Sequence, residues 1–273
     1  MLSPTRSALV VAHPGHELRV FGWLHAARPR VFVLTDGSGR TGRSRLPSTT
    51  RILREAGAEP ASIYGRLSDH EVYEAMLRTD HTLFVGLAEE LAAALIDQGT
   101  ELVAGDAIEG YNPAHDVCRL IINAAVELVW RRTSRQVENS EFPLVGPPDS
   151  CPTALRSRAM FFHLEPEMFG RKMAAAHRYS ALSGEVDEAI QTVGEDAFRV
   201  EMLRPAVEPL APDGRGEEPP HYERHGERRV AAGAYARVLR QREHVLPIAA
   251  ALRHVARRDA EPPADLESRA VTE

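Results

Sequence analysis

The sequence predicts an α/β fold: a Rossmann-like, mostly parallel sheet flanked by helices, with a C-terminal helical extension. Two observations indicate this class. Short apolar runs alternate with amphipathic stretches through the first half of the chain, which is the pattern of successive βα units. The chain has 273 residues, of which 43% are hydrophobic, and this suffices for one large α/β domain or for a domain with an appendage.

The predicted strands are short apolar runs, and the predicted helices are the longer segments between them. Strands are expected at residues 8–12, 30–34, 61–64 and 101–104, with a later one at residues 159–163. Helices are expected at residues 17–27, 48–56, 69–78, 81–97 and 114–131. In the last helix, apolar residues recur with a period of about 3.6, so one face should pack on the sheet. Those residues are Val117, Leu120, Ile121, Ala124, Ala125 and Val129.

Two segments interrupt the alternation and are predicted to be loops. Residues 132–153 contain four prolines, and residues 205–220 are rich in Pro, Gly and acidic side chains. Helices are expected again at residues 166–182 and 227–257, followed by a polar tail that should fray. The predicted organisation is therefore an α/β domain (1–204), which carries the motifs described below, a loop or lid (205–226) and a C-terminal helical extension with its tail (227–273).

Composition limits the partners. The formal net charge is −6 and the sequence pI is about 6.1, which favours a small-molecule substrate and argues against nucleic acid or a membrane as partner. Cys118 and Cys151 are the only cysteines, too few for a disulfide framework or a cysteine-rich zinc site. Residues 1–6 do not resemble an export signal, so a cytoplasmic location is expected. A homo-oligomer is compatible with the sequence.

Three histidines are candidate metal ligands. His13 and His16 follow the first predicted strand, and His115 lies at the start of the helix that follows the fourth. The carboxyl ends of parallel strands form one rim, where α/β folds bind ligands. Three imidazoles with one open position are typical of a catalytic zinc site. The alternative is chance, because a chain with 12 histidines produces short His-x-x-His spacings without a metal.

Three motifs carry a family resemblance. They are residues 12–17 (Ala-His-Pro-Gly-His-Glu), residues 34–37 (Leu-Thr-Asp-Gly) and residues 112–115 (Asn-Pro-Ala-His). Their order and spacing resemble the PIG-L/LmbE-like family of zinc-dependent deacetylases, whose motifs are Ala-His-Pro-Asp-Asp-Glu, Thr-Asp-Gly and His-x-Asp-His. The resemblance extends over residues 8–130, and residues 172–179 resemble a later family helix that runs from a Lys to a Tyr.

The resemblance implies a metal site. His13 and His115 stand at family histidine ligands, and His16 stands at a family aspartate ligand. All three positions keep a side chain that binds metals, although the exchange of carboxylate for imidazole removes one negative charge from the ligand set. The implied cofactor is Zn²⁺, with Fe²⁺ or another divalent metal as the alternative.

The departures from the family lie in its acid-base residues. Gly15 stands where the family has its general base, an aspartate, and Asn112 stands where it has a histidine that stabilises the oxyanion or protonates the leaving amine. An amide donates a hydrogen bond but supplies no proton. Glu109 is the first candidate for a substitute base. Glu17 is expected to orient a ligand or act as base, and Asp36 to cap a turn or act as base; Asp106 and Asp116 are further candidates.

Substrate contacts are expected on the same rim. Arg40 and Arg43 lie in a basic loop after the second strand, and Arg51 and Arg54 lie near the position of a family arginine that contacts substrate. Such guanidinium groups hold carboxylate, phosphate or sugar groups, or are simply solvated. Tyr111, beside Asn112, is a candidate pocket residue.

The function expected from these residues is metal-dependent hydrolysis of a C–N bond, specifically N-deacylation of a sugar-like or other small polar metabolite. One alternative is a metalloenzyme of the same fold with a non-hydrolytic reaction, for which iron would be the native metal. The other is a catalytically inactive relative that binds a ligand in the same pocket.

Overall fold

A mixed sheet of seven strands forms the centre of the protein, which a computed structural model describes over residues 6–207 and 218–258, without the side chain of Arg40. The strand order is β3-β2-β1-β4-β5-β7-β6. Strands β1 to β5 pair in parallel, and β7 is antiparallel to both β5 and β6. The strands are β1 (Ser7–Val11), β2 (Arg30–Thr35), β3 (Glu59–Leu67), β4 (Leu102–Asp106), β5 (Glu138–Phe142), β6 (Met160–His163) and β7 (Val200–Pro205).

Helices cover both faces of the sheet. They are α1 (Phe21–Ala27), α2 (Leu46–Ala56), α3 (Asp69–Leu77), α4 (His81–Asp97), α5 (Pro113–Thr133), α6 (Thr153–Arg156), α7 (Pro166–Arg178), α8 (Ser183–Val193), α9 (His221–Ala231) and α10 (Leu246–Arg258). Short 3₁₀ segments occur at His16–Val20, Gly39–Thr41, Ser180–Leu182 and Glu195–Arg199, and a π-helical turn at Gln241–Val245 precedes α10.

The core is divided by β1, which is buried on both faces. Ala8 and Val10 belong to a cluster with α4, α5 and α10, whereas Leu9 and Val11 belong to a cluster with α1, α2 and α7. Burial on both sides explains why this strand is a continuous apolar run, as expected of a central strand in a parallel sheet. The α/β fold class predicted from the sequence is confirmed, with a C-terminal helix packed on α4 and α5.

Most predicted elements are present, but four predictions differ from the structure. Residues 132–153 are not all loop, because β5 lies within them. The helix expected at residues 166–182 ends at Arg178 and is followed by a 3₁₀ turn. The helix expected at residues 227–257 is two helices, α9 and α10, separated by a segment that contains Gly233 in a left-handed conformation (φ 68°). The first helix also begins as a 3₁₀ turn at His16–Val20.

The strand β7 and the helix α8 were not predicted. Part of the predicted loop or lid (208–217) and the tail (259–273) lie outside the described residues. Within the described ranges, no helix combines the length and apolarity needed to cross a membrane.

Candidate active site

The turn that follows β1 carries two of the three histidines and is stabilised by hydrogen bonding to Glu17. Gly15 has a left-handed conformation (φ 109°), and a Cβ atom built there would lie 2.3 Å from Leu182 Cδ1. The backbone N–H of Gly15 donates a 2.7 Å hydrogen bond to the fully buried Glu17 carboxylate. Thr49 donates to the other Glu17 oxygen at 2.7 Å. Burial raises the pKa of Glu17, while these hydrogen bonds oppose the increase. Glu17 is therefore placed to fix the shape of the turn.

The three predicted ligands come together at the carboxyl rim. The imidazole centroids of His13 and His16 lie 5.4 Å apart, those of His13 and His115 lie 5.1 Å apart, and those of His16 and His115 lie 4.6 Å apart. His115 is brought there by the first turn of α5. Burial, together with the neighbouring His16 and His13, holds the pKa of His115 well below its ordinary value. This favours the neutral imidazole, the form that binds a metal.

Acidic partners orient two of these rings. His16 Nδ1 lies 2.9 Å and 3.0 Å from the carboxylate oxygens of Asp106. His13 Nδ1 lies 2.8 Å from Thr35 Oγ1 and 3.0 Å from Asp69 Oδ1. With Nδ1 engaged by oxygen, Nε2 is the nitrogen that remains for a metal, an arrangement common among metal-binding histidines.

Asp69 was missed by the sequence analysis. Burial disfavours its charged form, but the interaction with the adjacent His13 imidazole outweighs that effect and holds the pKa of Asp69 well below its usual range. The residue is the first of α3 and follows the capping residue Ser68, so its acidic side chain has an ordinary explanation at a helix start. The available signal was its position two residues after the end of β3, on the same rim as His13.

The donor set fits a metal in type, and the separations of its rings are close to those of three bound imidazoles. Three imidazoles bound tetrahedrally at about 2.0–2.1 Å would have ring centroids roughly 5 Å apart, which agrees with the separations above. As the side chains stand, no group of three or more His, Cys, Asp and Glu residues in the described ranges is arranged to hold a metal ion. The three rings therefore lie close together, and their side chains would have to reorient to bring three nitrogens onto one metal ion.

The candidate acid-base residues lie around the loop before α5. Asn112 is the N-cap of this helix, and its Oδ1 accepts a 2.9 Å hydrogen bond from Ala114 N–H, which leaves the side-chain NH₂ as donor. The Glu109 carboxylate accepts from Leu144 N–H at 3.0 Å and Val145 N–H at 3.2 Å. Burial raises the pKa of Glu109, although these hydrogen bonds oppose the shift. Glu109 thus connects this loop to the segment after β5.

Asp116 and Asp36 have local structural partners. Asp116 accepts 3.2 Å hydrogen bonds from the N–H groups of Glu109 and Gly110, and burial raises the pKa of Asp116 to about 7. Asp36 Oδ1 accepts a 2.9 Å hydrogen bond from Ser38 N–H, which is an Asx turn. Asp106 contacts His16 rather than standing free as a base.

The predicted substrate contacts form a looser group. Arg43, Arg51 and Arg54 are exposed, and the side chain of Arg40 lies outside the described part of the structure. Tyr111 is 48% exposed and stacks on His221 with a centroid distance of 4.5 Å. The N–H of Tyr222 donates to Gly110 O at 3.3 Å, so the start of α9 lies against the loop that precedes Asn112.

Known proteins match this chain in fold. No family model matches the sequence, and no curated protein matches it. Among solved structures, the zinc-inhibited form of teicoplanin deacetylase Orf2 is 15% identical with a TM-score of 0.52, covering 74% of this chain and 98% of that one. The A40926 pseudoaglycone deacetylase Dbv21 is 19% identical with a TM-score of 0.51, covering 77% and 100%. The conserved protein TT1542 from Thermus thermophilus is 18% identical with a TM-score of 0.51, covering 76% and 97%. At these identities the likeness establishes the fold and leaves function to the site.

Proposed function

We propose that this protein is a divalent-metal-dependent hydrolase of the PIG-L/LmbE-like type, which removes an N-acyl group, such as acetyl, from a sugar-like or other small polar substrate. The observation that carries this proposal is the convergence of His13, His16 and His115 at the carboxyl rim, with ring centroids 4.6 to 5.4 Å apart. The fold is one that also occurs in deacetylases, which makes an amide hydrolase the reaction class that best suits these ligands.

His13, His16 and His115 would hold the metal, with zinc as the first choice because three neutral imidazoles suit it. When bound there, such a metal would supply Lewis-acid chemistry for the amide carbonyl and for activation of water. The residues of the chain have separate tasks. Asn112 donates a hydrogen bond from its amide to the oxygen on which negative charge develops.

Proton transfer is assigned to Glu109, whose raised pKa suits a group that accepts and returns a proton. Its carboxylate is anchored by the N–H groups of Leu144 and Val145, and a lone pair remains on the carboxylate to accept the proton. Glu17 and Asp36 act by positioning: Glu17 holds the Gly15 turn, and Asp36 fixes the turn after β2.

Substrate recognition is assigned to the polar rim around the histidines. Arg40 and Arg43, in the loop after β2, provide cationic groups for carboxylate, phosphate or sugar oxygens. Arg51 and Arg54 lie further along α2, with Arg54 in the last turn beside the start of β3, so they are not assigned to substrate. Tyr111, exposed and stacked on His221, provides an aromatic face beside Asn112. A small, polar, oxygen-rich substrate suits this composition better than an apolar one.

The test is metal content followed by turnover. Wild-type protein reconstituted with Zn²⁺ should retain a stoichiometric amount after gel filtration, whereas His115→Ala should retain almost none. His177→Ala, which changes an exposed histidine on α7, is the matched control and should behave as wild type. Zinc-loaded wild type should then release acetate from at least one member of a panel of N-acetyl amino sugars. Wild type without stoichiometric metal, or His115→Ala with full metal content, contradicts the proposed site.

A further inference from the structure

The Nδ1 atoms of His16 and His13 face different numbers of acceptor groups, and this difference matters for metal binding. His16 Nδ1 faces the carboxylate of Asp106 alone, at 2.9 and 3.0 Å. His13 Nδ1 faces two different groups, Thr35 Oγ1 at 2.8 Å and Asp69 Oδ1 at 3.0 Å. One ring therefore has a single acceptor group, and the other has two.

The surroundings of Asp106 leave it little freedom. Its side chain is fully buried, and Oδ2 also accepts a 2.7 Å hydrogen bond from the backbone N–H of Ala12. A carboxylate accepts hydrogen bonds and has none to donate. His16 must therefore carry its hydrogen on Nδ1, which leaves the lone pair on Nε2.

Thr35 gives His13 a second acceptor. The Thr35 hydroxyl donates to Ala12 O at 3.2 Å, so its lone pairs are turned toward other donors, including His13 Nδ1–H. Asp69 is held separately by Gly39 N–H at 2.6 Å. Thr35 makes the hydrogen bond with His13 Nδ1, whereas Asp69 Oδ1 lies 3.0 Å away without hydrogen-bond geometry; Asp69 is thus the nearest acceptor that could replace Thr35.

We propose that Asp106 is the positioning residue that alone fixes His16 as a metal ligand, and that Asp69 and Thr35 fix His13 redundantly. The proposal rests on the metal site of the proposed function. It adds that the carboxylates of Asp106 and Asp69, which contact the Nδ1 atoms of His16 and His13, supply the negative charge that three neutral imidazoles lack. Two carboxylates about 3 Å from ligand nitrogens strengthen the donor character of those imidazoles and favour a divalent cation.

The substitution Asp106→Asn exposes the difference because it preserves size and removes one acceptor. The amide oxygen of the new side chain would take the place of Oδ2 and accept from Ala12 N–H, which puts its NH₂ in the place of Oδ1, 3.0 Å from His16 Nδ1. His16 Nδ1 would then face one donor and the single oxygen that it shares with Ala12, so a fraction of His16 would move its hydrogen to Nε2 and lose the lone pair that binds the metal. In Asp69→Asn, the NH₂ group would also face His13, but Thr35 still accepts from Nδ1.

The affinity experiment measures Zn²⁺ binding by competition with a chromophoric chelator. Asp106→Asn should bind Zn²⁺ about 10- to 100-fold more weakly than wild type. Asp69→Asn and Thr35→Val should each have a clearly smaller effect, and the Asp69→Asn/Thr35→Val double variant should lose more than the product of the two single losses. Asp80→Asn is the control, because Asp80 accepts one backbone N–H at the start of α4 and asparagine caps a helix equally well.

A second experiment needs no metal. In metal-free protein with ¹⁵N-labelled histidine, long-range ¹H–¹⁵N spectra should assign His16 to the Nδ1–H tautomer in wild type and should show a substantial Nε2–H population in Asp106→Asn. If Asp106→Asn does not fold, the double variant at Asp69 and Thr35 tests the same reasoning on His13. The proposal is overturned if Asp106→Asn keeps wild-type Zn²⁺ affinity and the Nδ1–H tautomer, or if Asp69→Asn alone loses as much affinity. Failure of wild type to bind Zn²⁺ contradicts the metal site itself, whereas the tautomer result still decides the role of Asp106.

Discussion

The two residues of the buried ion pair between Lys172 and Glu201 should contribute unequally to the free energy of unfolding. Lys172 Nζ lies 2.9 Å from Glu201 Oε1, with side-chain exposures of 3% and 0%. Glu201 also accepts hydrogen bonds from Gly22 N–H at 2.9 Å and Trp23 N–H at 3.0 Å. These are N–H groups of the first turn of α1, whose own N-cap, Val20, makes no side-chain cap hydrogen bond. Glu201 therefore interacts both with the Lys172 ammonium group and with the N–H groups at the start of α1, whereas Lys172 interacts with Glu201.

Glu201→Gln should be the more damaging change. It leaves one carbonyl oxygen for three donors and a buried ammonium group without an anion, for which we expect a loss of about 4 kcal/mol in the free energy of unfolding. Burial already lowers the pKa of Lys172, against the opposing effect of the Glu201 charge. Lys172 can therefore lose its proton in this variant, which limits the cost. Lys172→Met leaves the carboxylate with both amide donors and should cost about 2 kcal/mol.

Urea unfolding followed by circular dichroism measures both changes, and the double variant completes a thermodynamic cycle. The double variant should be less destabilised than the sum of the single changes by about 1–3 kcal/mol. A larger loss for Lys172→Met than for Glu201→Gln would refute the assignment of Glu201 as the helix-end acceptor. Additive losses would refute a direct interaction between the two charges.

Further predictions concern single side chains. The buried hydroxyl of Tyr222 has no hydrogen-bond partner in the described residues, so Tyr222→Phe should leave the free energy of unfolding unchanged or raise it by about 1 kcal/mol; a clear loss in thermal unfolding would contradict this. Ser68 and Glu71 form a capping box at the start of α3, so Ser68→Ala should cost about 1 kcal/mol in urea unfolding while Ser68→Asn costs little. Gly15→Ala should cost about 1–3 kcal/mol because of its positive φ and its closeness to Leu182. Adding Leu182→Ala would relieve the contact but leave the backbone strain, and wild-type stability of Gly15→Ala would contradict the argument.

The part of the fold that could be predicted is the part built on local apolar pattern. The strand β1 and the helix α4 are buried through residues whose spacing is visible in the sequence. The strand β5 (Glu-Asn-Ser-Glu-Phe) lacks such a pattern because its polar residues are paired across the fold. Arg119 donates to Ser140 O at 3.1 Å and to Asn139 Oδ1 at 2.8 Å. A strand held by partners about twenty residues away has no signal within itself.

The candidate site likewise has one part that could be predicted from the sequence and one part that could not. His13, His16 and His115 could be placed together because each lies at a strand end or helix start on one rim. The partners behind them could not be ranked, because an acidic residue after a strand has several local uses. Asp69 has the sequence context of a helix start, and Asp36 has that of a turn. Only the three-dimensional arrangement separates Asp69, which contacts His13, from Asp36, which contacts Ser38.

The geometry of Gly15 bears on any attempt to redesign this site. A carboxylate side chain introduced at this position would place its Cβ atom 2.3 Å from Leu182 Cδ1, so that terminal methyl group would have to move, and the residue would keep a φ of 109°, which L residues rarely adopt. The backbone conformation is the larger of the two obstacles, because a leucine methyl group can change rotamer whereas the turn cannot change without moving the histidines on either side. A redesign that adds a carboxylate to this pocket therefore meets less resistance at a residue with ordinary backbone angles than at Gly15.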